Sequence, residues 1–231
     1  MNRTGILLTV LFISLAFWGC SKTDPSPSQD ISDTAEALYF PPLSSALWET
    51  VSPTELSWNL NAETPLRDLL EARDTKAFLI LKDGKIAVEW YFDSFTKDST
   101  WYWASAGKTL TAFTVGLAQE QGLLDLSDRT SEYLGEGWTS APLEKENLIT
   151  VRDQLTMSSG LNDLFFDCVS PNCLQYLADS GNRWAYHNGP YTLLQQVVAN
   201  AAGRPFQSYF NEELRNKIGM DGFWFSTNGQ N

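Results

Sequence analysis

The chain has 231 residues, 43% of them hydrophobic and 13% aromatic, which suffices for a sizeable core and excludes a disordered protein. A formal charge of −12 argues against nucleic-acid binding, which needs a basic face. With one histidine (His187), three cysteines, no phosphate-cradling glycine loop and no G-x-G-x-x-G pattern, neither a cofactor nor an imidazole or thiolate metal site is expected; only a carboxylate site for magnesium or calcium stays open.

In chain order, residues 1–19 read as an export signal. Arg3 supplies a positive charge, and Ile6 to Trp18 form an apolar run of 13 residues, too short to span a bilayer comfortably. Gly19-Cys20 then resembles a bacterial lipoprotein cleavage site, so lipidation at Cys20 and a periplasmic or cell-envelope membrane anchor are expected. Phe17 and Trp18 depart from the usual flavour of that site, and the alternatives are ordinary cleavage to a secreted soluble protein or an uncleaved anchor. Residues 20–45, polar and Pro-rich, read as a tether, and residues 46–231 as the folded domain.

A short helix is expected around Leu66 to Glu71, followed by a hairpin in which Asp83-Gly84 joins AFLILK to KIAVEWYF through a type I′ turn. A helix then starts near Ser105, carries Leu110, Phe113 and Leu117 at helical spacing and ends at Gly122. Thr150 precedes a helical VRDQLTM, and Pro190 and Pro205 suit the first turns of two further helices. Strands thus come first and helices after, with no second group of strands before Asn231. A two-stranded hairpin alone is marginal, so the sheet reads as unfinished.

Two stretches carry possible chemistry. Ser105 and Lys108, in WYWASAGKTLTAF, lie three apart at a helix start, where hydroxyl and amine share one face. A serine is a poor nucleophile until a neighbouring base takes its proton, and a lysine serves when burial and a helix's positive end lower its basicity. The backbone N–H of Ser105 would face a developing oxyanion. The competing reading is a Ser105 helix cap with a solvated lysine. A second Ser-x-x-Lys, Ser94 to Lys97, sits in the loop after the hairpin with nothing to hold its side chains together.

The other stretch is Tyr186-His187-Asn188, in a loop just before a helix, where a phenol can relay a proton and an amide can bind substrate. Its competing reading is an Asn188 cap beside a packed tyrosine. Tyr209-Phe210-Asn211 shares the spacing but falls among core residues. Outside the cytosol, Cys168 and Cys173 are expected to close a disulfide loop, their spacing being wrong for a redox-catalytic pair. Trp101, Tyr102 and Trp103 either wall a pocket or pack between subdomains, the second being the commoner fate. Glu71, Glu89, Asp163 and Asp167 show no glycosidase-like pairing and read as surface groups or supports of the site.

Taken in order, AFLILKDGKIAVEWYF, SAGKTLTAFTVGLAQEQGLLDLSD, ITVRDQLTMSSGLND and YHNGPYTLLQQVVANAAGRPFQSYFNEELRNKIGM resemble the serine β-lactamase and penicillin-binding protein superfamily. The likeness is to its class C-like branch, with esterases and 6-aminohexanoate-dimer hydrolases, over about residues 56 to 225. It implies an α+β, β-lactamase/transpeptidase-like fold, an acyl-enzyme on Ser105, deprotonation helped by Lys108, and Tyr186 as general base or proton relay. Asn188 would hold the substrate's amide. His187 stands where the family often has serine and is assigned to packing or the pocket rim.

The resemblance further implies a small amide or ester substrate: a β-lactam, a D-alanyl peptide, a linear amide or a short ester. The family's third motif, Lys or His followed by Thr or Ser and Gly, does not occur before Asn231. A member lacking its C-terminal strands is therefore expected, inactive and poorly stable alone. The alternative function is a non-catalytic penicillin-binding or sensor-like lipoprotein.

Overall fold

Asp83 and Gly84 both take positive φ, 52° and 86°, as a type I′ turn requires. In this computed structural model, which describes residues 38–224 apart from 46, 166 and 223, that turn joins β1 (Ala77–Lys82) to β2 (Lys85–Tyr91). The leader and Cys20 lie outside the described residues. The strands pair antiparallel from Lys82 opposite Lys85 to Ala77 opposite Tyr91, with an irregularity between Ile80 and Leu81. Only glycine fits at position 84, since a Cβ there would lie 2.0 Å from the Tyr39 carbonyl oxygen.

The far edge of β2 is occupied as well. Ile86 donates its N–H to the Glu49 carbonyl, and Val51 donates to the Ile86 carbonyl, both at 2.9 Å. Helix α1 (Glu63–Ala72) lies beside the hairpin, with the Arg67 guanidinium 5.6 Å from the Trp90 ring centre and 5.8 Å from that of Phe92. Phe78 stacks on Trp90 on this face, whereas Leu79 and Leu81 on the other are 46% and 47% exposed.

Helices dominate from residue 104 onward. A 3-10 turn, Ala104–Ala106, leads into α2 (Gly107–Glu120), which ends before Gly122 at φ 69°. Its buried face is Gly107, Thr111, Thr114, Val115 and Ala118. The Leu110–Phe113–Leu117 stripe expected from spacing lies on the neighbouring face, and Phe113 is exposed. Small and β-branched residues occupy the buried stripe because α2 packs directly against α6 (Asn188–Ala202) there.

Short helices α3 (Ser131–Leu134), α4 (Leu143–Glu146) and α5 (Val151–Leu155) follow α2. Thr150 starts α5 with a reciprocal cap: its hydroxyl accepts from the Asp153 N–H while the Asp153 carboxylate accepts from the Thr150 N–H. After α6, Pro205 precedes α7 (Phe206–Phe210), and the chain widens into a π-helical turn over Asn211–Arg215 rather than continuing as one α-helix. The core gathers Val115, Val151, Leu194, Val197, Val198, Phe206, Tyr209 and Phe210 from four of these helices. Tyr209 and Phe210, the pair that mimicked the Tyr-x-Asn spacing, are thus core residues.

Candidate active site

Ser105 and Lys108 meet because the 3-10 turn and the first turn of α2 put positions three apart on one side. Lys108 Nζ donates to Ser105 Oγ at 3.3 Å. Tyr186, 81 positions later, donates its phenolic O–H to the same Oγ at 2.7 Å. The serine oxygen therefore receives two donors from two different elements. Ser105 does not cap: neither the 3-10 turn nor α2 has a side-chain cap bond at its start. Ala104, directly before it, holds φ 45°, a left-handed backbone seldom kept by a non-glycine residue without support from its surroundings.

The lysine is held on several sides. Its ammonium lies 5.2 Å from the Tyr186 ring centre and 5.6 Å from that of Tyr191. Tyr191, buried on α6, donates its hydroxyl to the Lys108 carbonyl at 3.0 Å, pinning the start of α2 to α6. Once ionised, the Tyr186 oxygen accepts from the Ser105 hydroxyl and the Lys108 ammonium instead of donating, and these bonds lower its pKa from the usual value of 10.0.

Tyr186 is placed by the segment that leads into α6. The Ala185 N–H donates to the Met157 carbonyl at 3.0 Å, and Gln154 Nε2 donates to the Pro190 carbonyl at 2.7 Å. Gln154 is in turn fixed as an acceptor by the Thr130 hydroxyl, 2.9 Å away. The segment that carries Tyr186 thus hangs on α5 through a buried polar chain, while Tyr186 itself is 42% exposed.

Asn188 is the first residue of α6 and makes no cap bond. Its Nδ2 donates to Asp167 at 2.6 Å, while its buried Oδ1 has no protein partner. His187 is 3% exposed and neither ring nitrogen is hydrogen-bonded; burial lowers its pKa from 6.5, with the Asp163 carboxylate opposing. Cys168 and Cys173 are joined in a disulfide with their Cα atoms 6.2 Å apart. Lys97 turns to Asp98 at 2.7 Å, not to Ser94. Trp101, Tyr102 and Trp103 are 60%, 71% and 52% exposed, and the Trp101 ring meets that of Phe95 edge-on with centres 5.6 Å apart. Asp167 is the site neighbour whose contact sequence reasoning missed, since no spacing rule links it to a residue 21 positions away.

The chain is similar to the "Putative penicillin-binding protein PbpX" of Bacillus subtilis strain 168, 25% identical over 130 residues, 53% of this chain and 32% of that protein. Among solved structures it is similar to a "putative beta-lactamase" from Bacteroides dorei DSM 17855, with a TM-score of 0.62, 19% identity, and coverage of 74% of this chain and 56% of that one. It is also similar to the octameric penicillin-binding protein homologue of Pyrococcus abyssi, with a TM-score of 0.55, 18% identity, and coverage of 72% and 44%. The chain therefore spans about a third of the curated relative and about half of these solved ones. Their fold is the α+β β-lactamase/transpeptidase-like fold, and this chain carries part of it. A sequence model of one family, Beta-lactamase, matches residues 66–230, more than half of the chain, and the protein belongs to that family.

Proposed function

We propose that the protein is a serine hydrolase that cleaves a small amide or ester through an acyl-enzyme on Ser105. The observation that carries this reading is the convergence of Lys108 and Tyr186 on one serine oxygen, at 3.3 and 2.7 Å. Ser105 Oγ attacks the carbonyl carbon while its proton passes to the Tyr186 phenolate, which Lys108 stabilises by charge. The C–O bond to Ser105 forms, and the carbonyl electron pair moves onto the oxygen. When the oxyanion collapses, Tyr186 returns the proton to the departing nitrogen or oxygen. Water then attacks the acyl carbon and gives a proton to Tyr186; as the C–O bond to Ser105 breaks, Tyr186 passes that proton to Ser105 Oγ, so the acid leaves and both serine and phenolate are restored. The Ser105 N–H supplies one oxyanion donor, and Asn188 contacts the substrate.

The exposed Tyr102 and Trp103, three and two positions before Ser105, would offer an apolar surface to a small, partly apolar acyl group. The apolar run ending in Gly19-Cys20 supports export and anchoring through a lipid on Cys20. The test is turnover of a panel of β-lactams, D-alanyl peptides, anilides and short esters. Ser105→Ala is expected to abolish it, and Tyr186→Phe to lower the rate about 10²- to 10⁴-fold, the usual worth of a positioned general base. Turnover unchanged by Ser105→Ala would overturn the reading.

A further inference from the structure

We propose that Asp167 is a positioning residue, which decides which end of the Asn188 amide points inward. This rests on the acyl-transfer reading above for its effect on turnover, but not for its geometry. An ionised carboxylate only accepts hydrogen bonds, so of the two ends of an amide it can face only the NH2. Asp167 Oδ1 takes Nδ2 of Asn188 at 2.6 Å. With the amide turned over, two acceptor oxygens would meet, so the carbonyl Oδ1 must lie on the opposite, buried side, where it has no protein partner.

The carboxylate is itself held in place. The Asp163–Arg183 ion pair, 2.7 Å long, ties the segment before Asp167 to the segment before Tyr186. Immediately after Asp167, the Cys168–Cys173 disulfide closes a short loop. The backbone of that loop presses on the start of α6 so closely that a Cβ at Gly189 would lie 2.0 Å from the Cys168 carbonyl oxygen. Leu174, fully buried, anchors the far end of the loop. The chain is thus tied at Asp163 before Asp167 and at Cys168 after it, which keeps the carboxylate near the start of α6.

Three substitutions separate orientation from packing. Asp167→Asn keeps shape and volume but presents either a donor or an acceptor, so the amide of Asn188 is no longer forced one way. On the best amide substrate, kcat/KM is expected to fall about tenfold in Asp167→Asn and in Asp167→Ala, the scale of a charge-assisted hydrogen bond. Asp167→Glu, still only an acceptor, is expected to recover part of the loss. Labelling of Ser105 by a small fluorophosphonate, which asks nothing of Asn188, should stay within about twofold in all three. An Asp167→Asn protein with wild-type kcat/KM would overturn the proposal, because a residue that merely packs tolerates an isosteric amide.

A second readout needs no activity. In 1H–15N spectra of the wild-type chain, the Asn188 side-chain amide, assigned by its disappearance in Asn188→Ala, is expected to exchange slowly with solvent and to lose that protection in Asp167→Ala. Wild-type Asn188 protons exchanging as fast as those of an exposed asparagine would overturn the proposal even if the variants fail to fold. A wild type whose Ser105 takes no label would defeat the hydrolase reading instead, leaving the amide orientation to be decided by the spectra.

Discussion

The hairpin region and the helical block are built to different degrees of burial, and the site belongs to only one of them. Around β1, β2 and α1 the buried apolar residues are Ala87 and Phe92, α1 buries none, and Leu79 and Leu81 stand half in solvent. In the helical block, Val115, Val151, Leu194, Val197, Val198 and Tyr209 are all fully buried in one cluster. Ser105 and Lys108 stand at the start of α2 and Tyr186 at the approach to α6, the two helices that cross in that cluster. Ser105, Lys108 and Tyr186 are therefore held by helix packing and by the Thr130–Gln154–Pro190 chain. A site whose reacting atoms share one rigid unit keeps its geometry even where the adjoining region packs loosely.

This contrast breaks most visibly under core truncation. Leu194→Ala, at the centre of the helical cluster, is expected to cost about 2–5 kcal/mol and to slow reaction at Ser105 as the crossing of α2 and α6 loosens. Leu79→Ala in the hairpin is expected to cost about 1 kcal/mol, since only half of a leucine's burial is at stake, and to leave the reaction untouched. Urea unfolding curves for the two variants check both numbers. Equal costs would mean that the two regions do not differ as described.

A smaller effect depends on pH. Burial lowers the pKa of His187 below 6.5, so the native state binds its proton less readily than the unfolded chain does. Stability from this residue is therefore intact above pH 6.5 and is lost as pH falls from there through the lowered native value. His187→Leu removes that loss and should flatten the dependence of the urea midpoint between about pH 7.5 and about pH 5.5. Parallel profiles for variant and wild type would show that the buried ring does not titrate in this window.

Much of the fold was legible in the residues, for reasons that are local. Asp83-Gly84 between β-rich runs specifies its own turn, Thr150 with Asp153 its own cap, and Gly122 its own helix end. The meeting of Ser105 with Lys108 follows from helical spacing alone. What spacing could not show is what depends on packing partners. Leu110 and Leu117 do pack at the edge of the core, but spacing could not show that Phe113 is exposed or that the closest contact with α6 uses small residues. Pairing of Glu49 and Val51 with Ile86 was hidden in a segment with no β pattern of its own. The exposed Trp101, Tyr102 and Trp103 contradict the usual fate of aromatic residues, and Asp167 is joined to the site only through a folded loop.

The central claim, that Lys108 and Tyr186 make Ser105 the reactive serine, is tested most directly by finding where the chain takes a covalent label. The purified 231-residue chain would be treated with a small fluorophosphonate and its peptides mapped by mass spectrometry. A single adduct on the peptide containing Ser105, forming more slowly in Tyr186→Phe, is the predicted result. No adduct, or one on Ser94 instead, would contradict the account.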